Sequence, residues 1–599
     1  MKYARIARRL VLLIPLLAPF FTVSFFTLVF TPAASAREVA IRVLATTDLH
    51  GHIYPYDYYA AKDAPRGLAK IATLIGAERA ANPNTLLIDC GDTIQGTPLE
   101  GVYQSAVLHG HLPLNLAPTQ PAEAPDPMML AMNALGYDMM TVGNHEWNFG
   151  MKNLNAARAA ARFPWISASI AVEPKSSVKP FAPWFIKTVA GVKIAIIGIT
   201  TPSEPSWEKP ANYAGYRFIQ GKEAAMKAVA ELKQKEHPDV ILIAAHAGLE
   251  KEVRNGQVLQ TPNPIEDLPG ENMVYQLASE VPGIDAIIFG HTHSELAGAR
   301  VGDVLLMQPR NWGMSLGEMD LRLEDGPDGH WHITSKESRV IGVKAATAVD
   351  EAILAIGKPY HETAERFLNA PVAESPIAMT GATARVVDSP MATMIHETQL
   401  FYAKADVSFA SIFNAGLRIA KGPVTVRQIA GLYLYDNTLY AIEGTGKMVR
   451  EALENSARFF LSCTGECNSG PLISQSVLGY NYDMAAGAGN ALEYEIDIRQ
   501  PAGQRIRNLR YHGQPLADDQ KLRIAVNNYR YGGSAGYGMF KSSPVVWRST
   551  EEIRDLIIDY YTEHKTLPAK ALNSWKVVPE SAAAELLREA SRDGAAPLK

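Results

Sequence analysis

Five short stretches of this chain set acidic, amide or imidazole side chains directly behind apolar runs. Asp48 and His50 stand two residues apart, Asp92 follows Gly91, Asn144 and His145 follow Gly143, His246 stands alone, and His291 and His293 flank Thr292. Taken singly, each stretch is what any solvated loop could carry. Taken together, Asp48, His50, Asp92, Asn144, His246, His291 and His293 supply two carboxylates, one amide and four imidazoles, enough to hold two divalent cations. Oxygen and nitrogen donors without a dedicated thiolate suit Zn, Mn, Fe or Co. They suit calcium, which takes oxygen only, or a cysteine-held structural zinc less well. Two such cations side by side lower the pKa of a shared water and clamp phosphate oxygens during in-line displacement.

The elements that must position these residues are the apolar runs 41–45, 85–88, 139–142, 240–244 and 286–289. Each reads as a buried strand, and helical stretches lie between them, the alternation of an α/β sandwich. Ligands in such folds gather at the carboxyl ends of strands. Asp-x-His at a strand end also points both side chains the same way. A sixth run, 193–199, ends in Thr200-Thr201-Pro202 and is expected to share the domain without supplying a ligand. Cys90 is read as a buried strand residue.

The chain has 599 residues, 47% of them hydrophobic and 20% charged, which fits two large globular domains and excludes a disordered or multi-span membrane protein. A formal net charge of -5 argues against a surface for nucleic-acid polymers while leaving small anionic substrates open. Lys2, Arg5, Arg8 and Arg9 precede an apolar run at 11–30 and then Ala34-Ser35-Ala36, the layout of a secretory signal. Pro15, Pro19 and the Ala-x-Ala site favour cleavage after Ala36 over an uncleaved anchor. A periplasmic or otherwise exported enzyme without lasting membrane attachment follows. Cys463 and Cys467 lie in a polar loop and could pair there, a pairing left open at this point. After about residue 340 the texture changes. The expected organisation is a signal at 1–36, a catalytic domain at 37–344, a linker helix at 345–375, a second domain at 376–580 and a polar helical tail at 581–599. The Pro- and Ala-rich stretch 117–127 is read as an exposed loop.

In order and spacing, the five blocks resemble the calcineurin-like metallophosphoesterases, and within them the exported 5′-nucleotidase group. The resemblance implies a four-layer α-β-β-α sandwich followed by an α+β 5′-nucleotidase C-terminal domain that binds the substrate. It implies a first metal on Asp48, His50 and His293, a second on Asn144, His246 and His291, and Asp92 bridging them. Beside Asn144, His145 would face the phosphate as general acid or transition-state stabiliser. Many relatives orient that histidine with an aspartate three residues on, where this chain has Asn148. A neutral amide can hold the ring but does not raise its basicity as a carboxylate would.

In the second half, the segment holding Phe413, Asn414 and Arg418 resembles the one that presents an arginine to substrate. The Arg418 guanidinium could pair bidentately with phosphate, with Arg385 a further candidate for that task. The segments around Tyr435 and Tyr529 resemble those whose aromatics sandwich a nucleobase. The match is nearest to the bacterial 2′,3′-cyclic-nucleotide 2′-phosphodiesterase/3′-nucleotidase branch, and Gly532-Gly533 is followed by Ser534 where 5′-nucleotidases typically carry an aspartate. Small-molecule nucleotides are the expected partners, and no obligate protein partner is evident. Competing functions are a 5′-nucleotidase or UDP-sugar hydrolase, a sulfur-ester hydrolase, and a non-catalytic nucleotide-binding surface protein.

Overall fold

Strand Val240–His246 is buried along its whole length, so it must be covered on both faces. The alternation of side chains across each strand shows by what. Among the described residues of the computed structural model, 37–117, 124–262, 270–435 and 437–593, the first half forms two large sheets. The expected signal at 1–36 lies outside the described residues.

In the first sheet Glu38–Thr46 runs parallel to Thr85–Asp89, which is followed by Met139–Thr141 and Trp165–Ile166, with Ser315–Asp325 and Trp331–Gly342 antiparallel on the other side. In the second, Val192–Thr200, Val240–His246, Ala286–Phe289 and Val304–Gln308 are parallel neighbours. Ile41, Val43 and Ala45 from one sheet meet Ile194, Leu242 and Ile288 from the other in a shared apolar layer. The alternate residues Leu44, Leu87 and Met140 face outward into the core that includes helices Leu68–Ala81 and Pro127–Leu135. On the far side Ile197, Ile243 and Ala245 meet helices Gly221–Lys235 and Val274–Glu280. Period-two alternation thus yields the four α-β-β-α layers.

Helix Glu351–Asn369 starts where the Asp350 carboxylate accepts from the Ala352 and Ile353 N–H groups, an N-cap. It lies on the first domain, with the Tyr360 hydroxyl donating to Pro125 O at 2.7 Å. The second half builds a five-stranded sheet in the order Met484–Gly487, Val407–Ala410, Lys521–Asn527, Thr438–Thr445 and Val545–Glu552. The polar tail contains helix Ala583–Asp593, and its Glu589 carboxylate accepts from Leu472 N at 2.9 Å and Ile473 N at 3.0 Å. Cys463 and Cys467 are joined in a disulfide with Cα atoms 5.4 Å apart, while Cys90 is free and buried. The two halves touch beside the loops that follow the parallel strands. Gln95 Nε2 donates to Glu552 Oε1 at 2.6 Å, and Arg548 Nη1 donates to Ser206 O at 3.0 Å.

Candidate dimetal centre

The chain leaves its strands in tight turns. Asp48, His50, Asp92, His291 and His293 all have φ between 47° and 78°, the left-handed region that non-glycine residues avoid. Glycines precede Asn144 and His291 because the backbone there runs against the carboxylates. A Cβ on Gly143 would collide with Asp92 Oδ1, and one on Gly290 with Thr47 and Asp48. The result is three overlapping groups whose ligand atoms lie within 4.8 Å of one another: Asp48, His50 and His293; His50, Asp92 and His145; Asp92, His246 and His291. Asn144 joins the last group, its Oδ1 standing 3.0 Å from His246 Nε2 and 2.9 Å from His291 Nδ1.

Backbone carbonyls set the ring orientations. A carbonyl only accepts, so His50 Nδ1 must donate to Gln95 O at 2.9 Å and His246 Nδ1 to Cys90 O at 2.8 Å. Cys90 thus serves the site through its backbone while its thiol points at Ile288 O. Both Nε2 atoms then face the cluster. His291 is held from outside by Glu271, 3.0 Å from Nε2, which turns Nδ1 inward. Glu146 braces the turns, its carboxylate accepting from Gly143, Asp92 and Thr93 N–H groups, while burial pushes its carboxyl up to about 7. Burial lowers His50 to about 4. It works against the charged form of His246 as well, yet the Asp92 carboxylate 2.9 Å away overrides it and lifts that imidazole to about 10.

Asp92 Oδ1 accepts the His145 N–H at 2.8 Å, fixing that residue beside the cluster. His145 Nδ1 lies 2.6 Å from Asn148 Oδ1, so the amide does hold the ring. Behind Asn148 stands Glu208, 3% exposed and hydrogen-bonded to the Asn148 side chain. Glu208 lies in the turn that follows Val192–Thr200, the strand expected to supply no ligand, and the same turn sets Trp207 5.7 Å from the His291 ring. Neither Glu208 nor Glu271 belongs to a recognisable block, and only spatial proximity reveals them.

In the second half Tyr435 and Tyr529 are 45% and 50% exposed. Phe413 packs edge-on to Tyr435 at 4.9 Å. A third exposed ring, Tyr480, lies 6.1 Å from Tyr435. Arg530, beneath Tyr529, is buried and paired with Asp483 at 2.8 Å. Arg418 is exposed, with Nη1 donating to Thr380 Oγ1 at 2.8 Å. Two further sequence candidates make contacts within the neighbouring loop. Arg385 donates through Nε and Nη2 to Ile412 O at 3.0 and 2.6 Å. Asn414 donates to Gly431 O at 2.9 Å and accepts from Gly416 N at 3.1 Å. Both brace the loop that carries Phe413.

Residues 41–295 match the calcineurin-like phosphoesterase family and residues 369–542 the 5′-nucleotidase C-terminal domain. The chain is 31% identical to a Salmonella typhimurium 2′,3′-cyclic-nucleotide 2′-phosphodiesterase/3′-nucleotidase, covering 91% of this chain and 90% of that protein. It belongs to the calcineurin-like metallophosphoesterases. It is also 31% identical to the trifunctional nucleotide phosphoesterase protein YfkN of Bacillus subtilis over 92% of its length, but spans only 39% of that larger protein. A Staphylococcus aureus structure described as a 5′-nucleotidase superposes with a TM-score of 0.69 at 25% identity, covering 90% of this chain and all of the other.

As a metallophosphoesterase of the 5′-nucleotidase family, the protein is a hydrolase of nucleotide phosphoesters. The family implies two metals, and the donors fit that requirement. His50 Nε2, whose ring has its proton at Nδ1, sits 3.0 Å from His293 Nε2. Imidazole nitrogens, Asp oxygens and an Asn oxygen converge there with outer partners holding their rings, the arrangement a cation needs.

Proposed function

We propose that the protein is an exported 2′,3′-cyclic-nucleotide 2′-phosphodiesterase and 3′-nucleotidase. The observation that carries this reading is Ser534. The helical turn Asn528–Tyr531, which presents Tyr529, ends at Gly532 and a left-handed Gly533 with φ 94°. The residue that follows is neutral. A carboxylate at this point would hold ribose hydroxyls of a 5′-nucleotide but would repel a phosphate on the 2′ and 3′ oxygens. Relatives that bear this activity in name are 29% to 31% identical over 91% to 92% of the chain. The disulfide supports an oxidising compartment, in keeping with the N-terminal signal.

In this reading Asp48, His50 and His293 hold one ion, Asn144, His246 and His291 the other, and Asp92 both. Zn, Mn, Fe or Co, when bound, supply Lewis acidity toward phosphate oxygens and an acidified water. His145, anchored at Nδ1, presents Nε2 to the phosphoryl group. Tyr435 and Tyr529 take the two faces of the base, and exposed Arg418 takes the charge of the substrate. Water adds to phosphorus, the P–O2′ bond breaks, the 2′ oxygen leaves as a hydroxyl, and a 3′-nucleotide results.

The test compares kcat/KM on 2′,3′-cyclic AMP, 3′-AMP and 5′-AMP, with products identified and bound metal analysed. The cyclic and 3′ substrates are expected to lead. A preference for 5′-AMP, or accumulation of a 2′-nucleotide, reassigns the protein to the 5′-nucleotidases or reverses the direction of ring opening.

A further inference from the structure

Asn148 poses a problem of direction. An amide can present either oxygen or nitrogen to a neighbour, and the two choices demand opposite proton positions on His145. The choice made here is oxygen, 2.6 Å from His145 Nδ1. What enforces it lies on the far side. The Glu208 carboxylate receives Asn212 Nδ2 at 2.7 Å, the Lys209 N–H at 3.2 Å and the Asn148 side chain. Burial raises the Glu208 carboxyl and these donors oppose that shift, with Oε1 accepting from Lys209 N–H and Oε2 from Asn212 Nδ2. With both Glu208 oxygens accepting, Asn148 turns its NH2 toward Glu208 and its oxygen toward His145. His145 must then carry a proton at Nδ1.

We propose that Glu208 is a positioning residue for the hydrolysis, acting through Asn148 to fix the ring orientation and tautomer of His145. The ion-pairing role that relatives give to a single aspartate is here divided between an amide that touches the histidine and a carboxylate that orients the amide. The turn bearing Glu208 is itself pinned. Ser206 O accepts from Arg548 Nη1 at 3.0 Å and from the Tyr440 hydroxyl at 3.4 Å, both in the second domain.

The inference rests on the place given to His145 above, and the test separates the two. Glu208→Gln preserves shape but replaces the acceptor by a second amide, which no longer dictates which way Asn148 faces. On whichever nucleotide the wild type cleaves fastest, kcat is expected to fall roughly tenfold or more with KM within about twofold. Asn148→Asp alone sets a carboxylate against Glu208 and also lowers kcat, since like charges in one site cannot both ionise freely. The double variant Asn148→Asp/Glu208→Gln restores one carboxylate and one amide in exchanged positions, and its kcat is expected to exceed that of either single variant. Histidine ¹⁵N spectra, with the His145 signal identified by its loss in His145→Gln, should show Nδ1–H in the wild type and mixed tautomers in Glu208→Gln. Should Glu208→Gln not fold, Glu208→Asp is read instead, with the same loss confined to kcat. An inactive His145→Gln together with wild-type kcat in the Glu208 variant overturns this inference alone, as do effects in the double variant that merely multiply. An active His145→Gln overturns the role given to His145 as well.

Discussion

Asp92 gives one carboxylate oxygen to the His145 backbone and the other to His246, and the Asp92 N–H is in turn held by Glu146. The second Asp92 oxygen also stands 3.9 Å from His50 Nε2, so Asp92 faces both sets of ligands. Asp92→Ala is therefore expected to abolish turnover and to lower bound metal to one ion or none, with the circular dichroism of a folded protein. Near-wild-type hydrolysis after chelation and metal readdition would show that the paired-ion reading is wrong. On the substrate side, Tyr435 and Tyr529 differ from the buried Tyr433 and Tyr537 in having about half their surface open. Losing one base-stacking face is worth ~1 to 3 kcal/mol, so Tyr435→Ala and Tyr529→Ala should each weaken nucleotide binding about tenfold or more. Titration calorimetry with a nucleotide and with a ribose phosphate checks the cause, since only the nucleotide should suffer.

Helix Pro390–Ala403 shows what burial does to a titrating group away from the centre. His396 on that helix is wholly buried with Nδ1 3.0 Å from Ser408 Oγ, and burial lowers its pKa to about 3. The unfolded chain, near 6.5, binds this proton earlier than the folded one does. Its contribution to stability is therefore complete above about pH 6.5 and is lost progressively as pH falls from there toward 3. In His396→Gln the decline of Tm between about pH 6.5 and 4 should flatten; an unchanged slope would assign acid sensitivity elsewhere. The same elements explain how far the sequence could be read. Asp48, Asp92 and His246 were legible because each ends a continuous apolar strand, and parallel strands deliver their ends to one edge. Glu208 and Glu271 were not. Each sits in a turn or loop whose place is set by long-range packing, and no local pattern distinguishes such a residue from a solvated one.

At the scale of the molecule, the two halves meet through residues that also serve the centre. Gln95 accepts from His50 through its backbone and donates to Glu552 through its side chain. Metal occupancy and domain contact therefore share a residue. Chelation should lower Tm, because ions that bind only the folded state stabilise it by mass action, ~2.7 kcal/mol at a hundredfold excess over Kd. In Gln95→Ala the same chelation should be felt less at the Glu552 side, measured as a smaller change in protection of 545–552 by hydrogen exchange. The left-handed backbone at Asp48, His50, Asp92, His291 and His293 carries a longer-term consequence. Each such residue costs roughly 1 kcal/mol or more that glycine would not incur. Replacing the exposed His293 by glycine should thus raise the stability of the chelated protein while lowering that of the loaded one. Glycine at any of these five positions relieves that cost only where no ion is bound, so the strain of the turns is offset by the loaded metal alone.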